Sequence, residues 1–278
     1  MSEQELRTEY CKKHNIHHLF ELLATKVLVE RPENPFAYLR DLLQSVEESE
    51  AKKASYDPTT IHFKADETEQ GKPKLKKLTI GTFGVDNAGK TTLLSAMGGE
   101  VDPKCTPTVG FSPTAFQTEE YDICIFDLGG AANFRGIWVH YYHDCLGIIF
   151  VIDSAAEEAK LQESLEVLKE TVQSDYIKGK PLLIFCNKKD LPNSRGCEEV
   201  ISEEFLASVL EADTPHKILP TCGLEEDPNI DTGVEWLLEV VGKDYDRLAE
   251  RVKSDTQKVK EEKERKRAER LAALEAEA

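Results

Sequence analysis

A glycine-rich loop at 84–91, GVDNAGKT, constrains this chain more than any other feature. It follows an apolar run that predicts a strand and opens the run KTTLLSAM, which predicts a helix. Glycines let the backbone amides of such a loop turn inward around an anion, and the helix N-terminus adds its dipole. Lys90 supplies a cation for the outer phosphates, and Thr91 supplies a hydroxyl ligand for Mg²⁺. The loop predicts a polyphosphate site, against the alternative of an ordinary strand–helix turn.

Two further motifs lie between this loop and the middle of the chain. Asp127 ends an apolar run and precedes Leu128-Gly129-Gly130, where a carboxylate can hold Mg²⁺ through water and the Gly130 amide can approach a γ-phosphate. Thr108, in PTVGF, can reach Mg²⁺ with its hydroxyl and a γ-phosphate with its backbone. Taken alone, each motif is equally compatible with a simple turn.

The tetrapeptide Asn187-Lys188-Lys189-Asp190 follows a second apolar run. Asp190 can accept two hydrogen bonds from the edge of guanine, which adenine does not offer. Asn187 is placed to brace neighbouring loops, and the aliphatic stem of Lys188 can cover a base. Alone, such a tetrapeptide is most often a solvated turn, but its order after the other motifs predicts a guanine site.

Alternating strand and helix patterns organise the centre of the chain. Residues 75–242 predict an α/β fold with a mostly parallel sheet flanked by helices. Residues 1–48 predict a helical hairpin, 49–74 a polar linker, and 243–278 one long charged helix, either solvated or of coiled-coil type. The predicted strands are 78–85, 114–119, 121–128, 146–153, 181–188 and 216–222.

Composition excludes several functions. The net charge of −17 disfavours nucleic acid as a partner. The sequence predicts no direct lipid anchor. Residue 2 is serine and not glycine, the C-terminus has no prenylation box, and there is no long apolar run. The seven cysteines contain no CxxC pair, which argues against zinc or a disulfide scaffold. Cys124, Cys145 and Cys186 lie in apolar runs and are interpreted as core residues.

Taken in order, GVDNAGKTT, PTVGF, FDLGG, NKKD and the Thr221-Cys222-Gly223 loop resemble an Arf-like small GTPase over residues 75–242. The resemblance implies a P-loop GTPase fold with a six-stranded sheet that binds GTP or GDP with Mg²⁺. By it, Cys222 and Gly223 contact the guanine oxygen, in place of the usual Ser-Ala. The metal ligands it implies are Thr91, Thr108 and Asp127. The implied nucleotide-binding residues are Asp86, Asn87, Ala88, Gly89, Lys90, Thr91, Thr92, Thr108, Gly130, Asn187, Lys188, Asp190, Cys222 and Gly223.

Ala131 stands where Arf-like proteins usually have the glutamine that orients the attacking water. A methyl group cannot hydrogen-bond water, so no catalytic residue is assigned and intrinsic hydrolysis is expected to be slow. This change, with the RGIW and YY sequences that follow, resembles the ciliary Arf-like protein 13 branch. That resemblance implies a place in a cilium or flagellum and GTP-dependent exchange activity toward Arf-like protein 3, with 108–111, 131–138 and the long helix contacting that partner. For Arg135 and Trp138, the alternative is structural packing within their own segment.

Residues 16–44 resemble the dimerisation and docking domain of the regulatory subunit of cAMP-dependent protein kinase. The resemblance implies a homodimer whose groove accepts an amphipathic anchoring helix of an axonemal or scaffold protein. The alternative is an autonomous helical hairpin packed on the central domain. The predicted core residues of this unit are Leu19, Phe20, Leu23, Val27, Phe36, Leu39 and Leu43.

Three functions therefore remain open at this point. The first is a signalling switch whose GTP form activates another G protein. The second is an ordinary hydrolysing GTPase. The third is a docking scaffold with a nearly fixed nucleotide state. The expected location of the protein is the cilium or flagellum, in association with the axoneme, and otherwise the cytoplasm.

Overall fold

The computed structural model describes residues 23, 34–40, 42–43, 75–99, 105, 108, 111–118 and 120–276. The chain divides into two compact units, Met1–Pro73 and Lys74–Ala278. In the first unit, residues 35–40 and 42–43 are helical. Asn34 begins this helix, because its side-chain oxygen accepts from the Ala37 amide at 3.1 Å, as an N-cap residue should. Of the predicted core, Leu19, Phe20 and Val27 lie outside the described residues.

The second unit is built on one six-stranded sheet. Its order is β2-β3-β1-β4-β5-β6, and only β2 runs antiparallel to its neighbour, among the strands described. The strands are β1 (Lys76–Phe83), β2 (Phe111–Gln117), β3 (Tyr121–Leu128), β4 (Gly147–Asp153), β5 (Leu182–Asn187) and β6 (His216–Pro220). The helices are α1 (Lys90–Met97), α2 (Glu158–Val172), α3 (Cys197–Val200), α4 (Glu203–Val209), α5 (Pro228–Lys243) and α6 (Tyr245–Ala276). The predicted α/β fold with a mostly parallel sheet is confirmed.

The burial of the central strands explains why their sequence pattern predicted them. Every residue of β5 is buried, and β4 is buried up to Asp153 at its end. Strands covered by helices on both faces must be apolar at consecutive positions, which is the pattern seen in GIIFVID and LLIFCN. Because β1, β3 and β5 are parallel members of one sheet, the loops after their carboxyl ends meet at one edge. These are the loops that carry the predicted motifs.

The predicted long C-terminal helix is confirmed as α6. It begins at Tyr245, two residues later than predicted, because α5 ends at Lys243 and Asp244 leaves helical geometry before α6 begins. The first part of α6 packs on the sheet unit, where Leu248 is fully buried and the Tyr245 hydroxyl donates to the Lys77 carbonyl at 2.9 Å. Among the described residues, no helix combines the length and apolar character needed to cross a bilayer.

Candidate functional site

The loop between β1 and α1 is shaped by left-handed backbone. Gly84 and Gly89 have φ of 141° and 92°, and Asn87 has φ of 60°. Residues with a Cβ atom rarely adopt such backbone angles, so the glycines are required for the turn. Lys90 is buried behind the loop and its Nζ donates to the Val85 carbonyl at 2.9 Å. Burial lowers the pKa of Lys90 to about 8 although Asp127 opposes the shift, and a bound polyphosphate would raise it again.

The three residues predicted to ligate a metal come from separate segments and meet beside Lys90. The Thr91 and Thr108 hydroxyls donate to Asp127 Oδ2 at 2.7 and 2.9 Å, and the two hydroxyl oxygens lie 2.7 Å apart. Each hydroxyl has one proton, so donation to Asp127 leaves none between the two hydroxyls. The other carboxylate oxygen, Asp127 Oδ1, is buried without a hydrogen-bond partner among the described residues. This crowding of oxygens fits a hard divalent cation such as Mg²⁺.

Gly130 lies against the phosphate loop. A Cβ built on it would come within 2.4 Å of the Val85 carbonyl carbon and 2.5 Å of Lys90 Nζ. No side chain fits there, so the backbone of this residue occupies the place next to the lysine, as expected for a residue whose amide faces a phosphate. Pro107, Val109 and Gly110 of the PTVGF motif lie outside the described residues.

Asn187 connects the two sides of the predicted guanine site. Its amide nitrogen donates to the Ala88 carbonyl at 2.9 Å, and its oxygen accepts from the Gly223 amide at 3.2 Å. A Cβ on Gly89 would lie 2.2 Å from the same amide nitrogen, so the contact demands glycine in the loop. The asparagine therefore holds the phosphate loop and the loop after β6 in fixed positions, as the sequence predicted for it.

Lys188 and Asp190 follow on the same loop. Lys188 has a positive φ of 68°, and its Nζ donates to Asp153 Oδ2 at 2.7 Å, so the stem is held across the loop. Asp190 is exposed, and its carboxylate lies near enough to Cys222 to affect the charge of the thiol. Burial and this carboxylate raise the pKa of Cys222. Asp190, which is predicted to read the base, and the Cys222–Gly223 loop, which is predicted to contact the guanine oxygen, therefore lie close together.

Asp227 supports the site and was missed by the sequence analysis. It is the N-cap of α5, and its buried carboxylate accepts from the Cys222 amide at 2.8 Å and from the Asn229 amide at 3.1 Å. The Lys189 ammonium is 2.8 Å away. Burial raises the pKa of Asp227, but the Lys189 contact and the two amides outweigh it, and the pKa is lowered. An aspartate followed by proline at a helix start was the available signal.

Replacing Asp227 with alanine is expected to lower the free energy of unfolding by about 2 kcal/mol, because the amides and the ammonium lose a buried charged acceptor. The Cys222–Gly223 loop should also loosen, so release of bound mantGDP should become several-fold faster. Asp231→Ala, at an exposed position in the first turn of the same helix, is the matched control. Equal release rates for the two variants would contradict this supporting role.

An ionic cluster ties the phosphate loop to the segment after β3. Arg135 Nε donates to the Gly130 carbonyl at 2.7 Å, and its guanidinium pairs with Glu163 and lies 3.5 Å from Asp86. Lys160 bonds Asp86 at 2.6 Å and Glu163 at 2.9 Å. Burial raises the pKa of Asp86, but Lys160 and Arg135 outweigh it and lower the pKa. No sequence pattern linked α2 to these two loops.

Trp138 has the packing role that the sequence left open beside a partner contact. The indole is buried and its Nε1 donates to the Gly129 carbonyl at 2.9 Å. Its ring meets Phe83 edge-on with centroids 5.3 Å apart. Trp138 therefore anchors the Gly129–Gly130 turn to the core. The Ala131 carbonyl accepts from the Phe134 amide at 2.8 Å and from the Arg135 amide at 3.2 Å.

Comparison with known proteins decides the family. A model of the ADP-ribosylation factor family matches residues 65–241. This chain belongs to the ADP-ribosylation factor family. The Arf family fold binds GTP or GDP with Mg²⁺, and the oxygens of Thr91, Thr108 and Asp127 beside Lys90 fit that chemistry.

Two curated Arf relatives come from Chlamydomonas reinhardtii. ADP-ribosylation factor-like protein 13B is 37% identical over 192 residues, which are 67% of this chain and 36% of that protein. ADP-ribosylation factor-like protein 3 is 35% identical over 170 residues, which are 61% of this chain and 94% of that protein. The chain thus matches only about a third of the first relative.

A solved structure and a second family model complete the comparison. The Arl6 small GTPase of Trypanosoma brucei, solved with the nucleotide analogue GppNp, superposes with a TM-score of 0.54 at 28% identity, covering 60% of this chain and 99% of that one. A model described as the N-terminal region of an inactive adenylate kinase matches residues 2–60. The N-terminal unit therefore matches a family of its own, and the match extends into the predicted linker at 49–74.

Proposed function

We propose that this Arf family member is a GTP-controlled switch. The observation that carries the proposal is the meeting of Thr91, Thr108 and Asp127 within 2.9 Å of one another although they lie on three separate segments. Lys90 and the loop amides hold the phosphates, while Asp190 and the Cys222–Gly223 loop read guanine. The other residues assigned to nucleotide binding are Asp86, Asn87, Ala88, Gly89, Thr92, Gly130, Asn187 and Lys188.

The switching element is the segment that carries Thr108. Thr91, Thr108 and Asp127 would hold a bound Mg²⁺, which would supply Lewis-acid chemistry beside the phosphates. In the described residues, Thr108 contacts Thr91 and Asp127 through its hydroxyl. Both contacts depend on one small hydroxyl group, so Thr108 is the residue that responds to loss of the terminal phosphate. Gly130, against Lys90, responds to the same phosphate and passes the change to Trp138 through the Gly129 turn.

Slow hydrolysis is the second part of the proposal, because the methyl group of Ala131 cannot orient water. Ala131→Gln is expected to raise the single-turnover rate of GTP hydrolysis about tenfold by restoring a water-orienting amide. Ala132→Gln, one residue further at an exposed position, is the matched control and should not change the rate. Fast hydrolysis by the unmodified protein would argue for the ordinary GTPase instead. No response to Ala131→Gln would show that Ala131 does not account for slow hydrolysis.

The finer function that we propose is GTP-dependent nucleotide exchange on Arf-like protein 3 in a cilium or flagellum. It is supported by the similarity to ADP-ribosylation factor-like protein 13B, by Ala131 and by the long helix α6 that follows the Arf domain. Val139 offers a half-exposed apolar side chain next to the buried Trp138, so an apolar contact remains available on this segment.

Release of mantGDP from Arf-like protein 3 tests this exchange activity. The full chain is loaded with GppNHp or with GDP and added at equal concentrations. Accelerated release only with the GppNHp form supports the proposal. Equal release from both forms, matching the buffer control, would remove the exchange function while leaving nucleotide binding by this chain intact.

The N-terminal unit is proposed to form a homodimer that docks an amphipathic anchoring helix of an axonemal or scaffold protein. Phe36 and Leu43 support this, since they lie seven residues apart on one helix face and are 81% and 42% exposed. Sedimentation of the full chain should give a dimer, and Phe36→Glu with Leu43→Glu should give a monomer. Leu224→Glu, at an exposed leucine outside this unit, is the control. A monomeric unmodified chain would contradict dimerisation.

A further inference from the structure

Lys189 joins the loops that follow β5 and β6, on the two sides of the predicted guanine site. Its backbone amide donates to the Thr221 carbonyl at 3.1 Å. Its side-chain ammonium lies 2.8 Å from Asp227 Oδ2. The same carboxylate oxygen accepts from the Cys222 amide at 2.8 Å. One oxygen of Asp227 therefore connects a side chain of the first loop to the backbone of the second.

This ion pair is buried at its carboxylate end. The Asp227 side chain is 1% exposed, whereas the Lys189 side chain is 35% exposed. A buried carboxylate is stable only when its oxygens are paired, and Oδ1 accepts from the Asn229 amide at 3.1 Å. Among the described residues, Lys189 is the cation that faces Oδ2. Because a buried charge that loses its partner is strongly unfavourable, this contact fixes the positions of both groups more firmly than a surface ion pair would.

The two joined loops carry the groups that are proposed to read guanine. Asp190, which directly follows Lys189, accepts from the ring N1–H and the 2-amino group, and the Cys222–Gly223 loop contacts the ring oxygen. These groups of guanine lie at neighbouring positions of one rigid ring, so the carboxylate and the loop must keep a fixed spacing. The backbone beside Asp190 is also held by Ser194, whose hydroxyl donates to the Lys189 carbonyl at 3.1 Å.

We propose that Lys189 is a positioning residue for guanine selection, which acts through Asp227 to hold Asp190 at the spacing from the Cys222–Gly223 loop that the base requires. Its ammonium is directed at the carboxylate, so it acts through the ion pair and not by contact with the base. Asn187 joins the same loops through the Gly223 amide. Loss of Lys189 should therefore alter their spacing without separating them. This inference rests on the proposed guanine site.

Inosine diphosphate (IDP) tests the positioning role, because inosine lacks the 2-amino group that makes the second hydrogen bond to Asp190. Displacement of mantGDP from the full chain by GDP and by IDP gives the affinity for each, and the unmodified chain should prefer GDP. Lys189→Met is expected to lower this preference about fivefold, because the hydrogen bond to the amino group weakens. A purely structural role would weaken GDP and IDP equally and leave the ratio of their affinities unchanged.

Further variants show whether Lys189 acts through Asp227. Asp227→Asn breaks the same ion pair and keeps an oxygen for a backbone amide, so it should lower the preference similarly and decides the result if Lys189→Met does not fold. The double variant should add little to either single change, and Lys189→Arg should keep most of the preference. Lys243→Met, which removes an exposed ion pair with Glu239 on α5, is the matched control and should change nothing.

The outcomes separate this proposal from the guanine site on which it rests. No binding of mantGDP by the unmodified chain would overturn the guanine site, and the positioning role with it. Normal preference for GDP that both Lys189→Met and Asp227→Asn leave unchanged would overturn the positioning role alone. Fully additive effects in the double variant would show that Lys189 does not act through Asp227, and would overturn the proposal as well.

Discussion

Replacing Lys90 with alanine is expected to weaken GTP binding about 100-fold or more, equivalent to about 3 kcal/mol. Lys90 is buried behind the phosphate loop and points its ammonium at the Val85 carbonyl, next to Gly130. A triphosphate would face this cation in a site with little water, where a charge-assisted hydrogen bond is strongest. Equilibrium titration with mantGTP in the presence of Mg²⁺ measures the change.

Lys178→Ala is the control for Lys90→Ala, because Lys178 is exposed and lies away from the loop. Circular dichroism should show that both variants keep the fold. Burial lowers the pKa of Lys90, so its charge is unfavourable without an anion, and removing it should not unfold the protein. Equal mantGTP affinity for the two folded variants would show that Lys90 does not bind phosphate.

Trp138→Ala is expected to lower the free energy of unfolding by about 4 kcal/mol. The indole is 1% exposed, contacts Phe83 edge-on and donates to the Gly129 carbonyl at 2.9 Å. The substitution leaves a large cavity and removes the hydrogen bond that fixes the turn before Gly130. Guanidinium denaturation followed by circular dichroism measures the loss.

Two matched variants define the Trp138 result. Trp138→Phe keeps an aromatic ring without the indole donor, so it should cost about 1–2 kcal/mol. Trp236→Ala removes the chain's other tryptophan, which is only half-buried on α5, and should cost clearly less than Trp138→Ala. A loss below about 1 kcal/mol for Trp138→Ala would mean that the indole does not anchor the turn.

The strands were predictable because burial on both faces produces a pattern within the strand's own sequence. β4 and β5 must be apolar at consecutive positions, and that pattern is visible without knowing their neighbours. The phosphate loop was predictable for a related reason, because the positive φ angles within the loop itself require glycines. Asn187 was also placed correctly, because its position after a buried strand puts it at the edge where the loops meet.

Other features depend on contacts between distant segments, and no local sequence pattern indicates them. The pairing of Lys160 and Glu163 with Asp86 and Arg135 joins three segments. The sequence left Trp138 open between a partner surface and core packing, because its burial depends on Phe83, far away in sequence. The start of α6 was predicted two residues too early, because Lys-Asp is a weak stop signal.

Asp227 is an intermediate case. Its capping of α5 could be predicted from the sequence, whereas its bonds to the Cys222 amide and to Lys189 could not. Motifs thus located the site, while the residues that hold it in place required the fold.

Titration of the full chain with mantGTP and mantATP, each with Mg²⁺ and again with excess EDTA, tests the central claim most directly. The arrangement of Lys90, the oxygens of Thr91, Thr108 and Asp127, and the carboxylate of Asp190 predicts binding of mantGTP that weakens strongly in EDTA, and little binding of mantATP. No binding of mantGTP with Mg²⁺ present, or equal binding of both nucleotides, would contradict it.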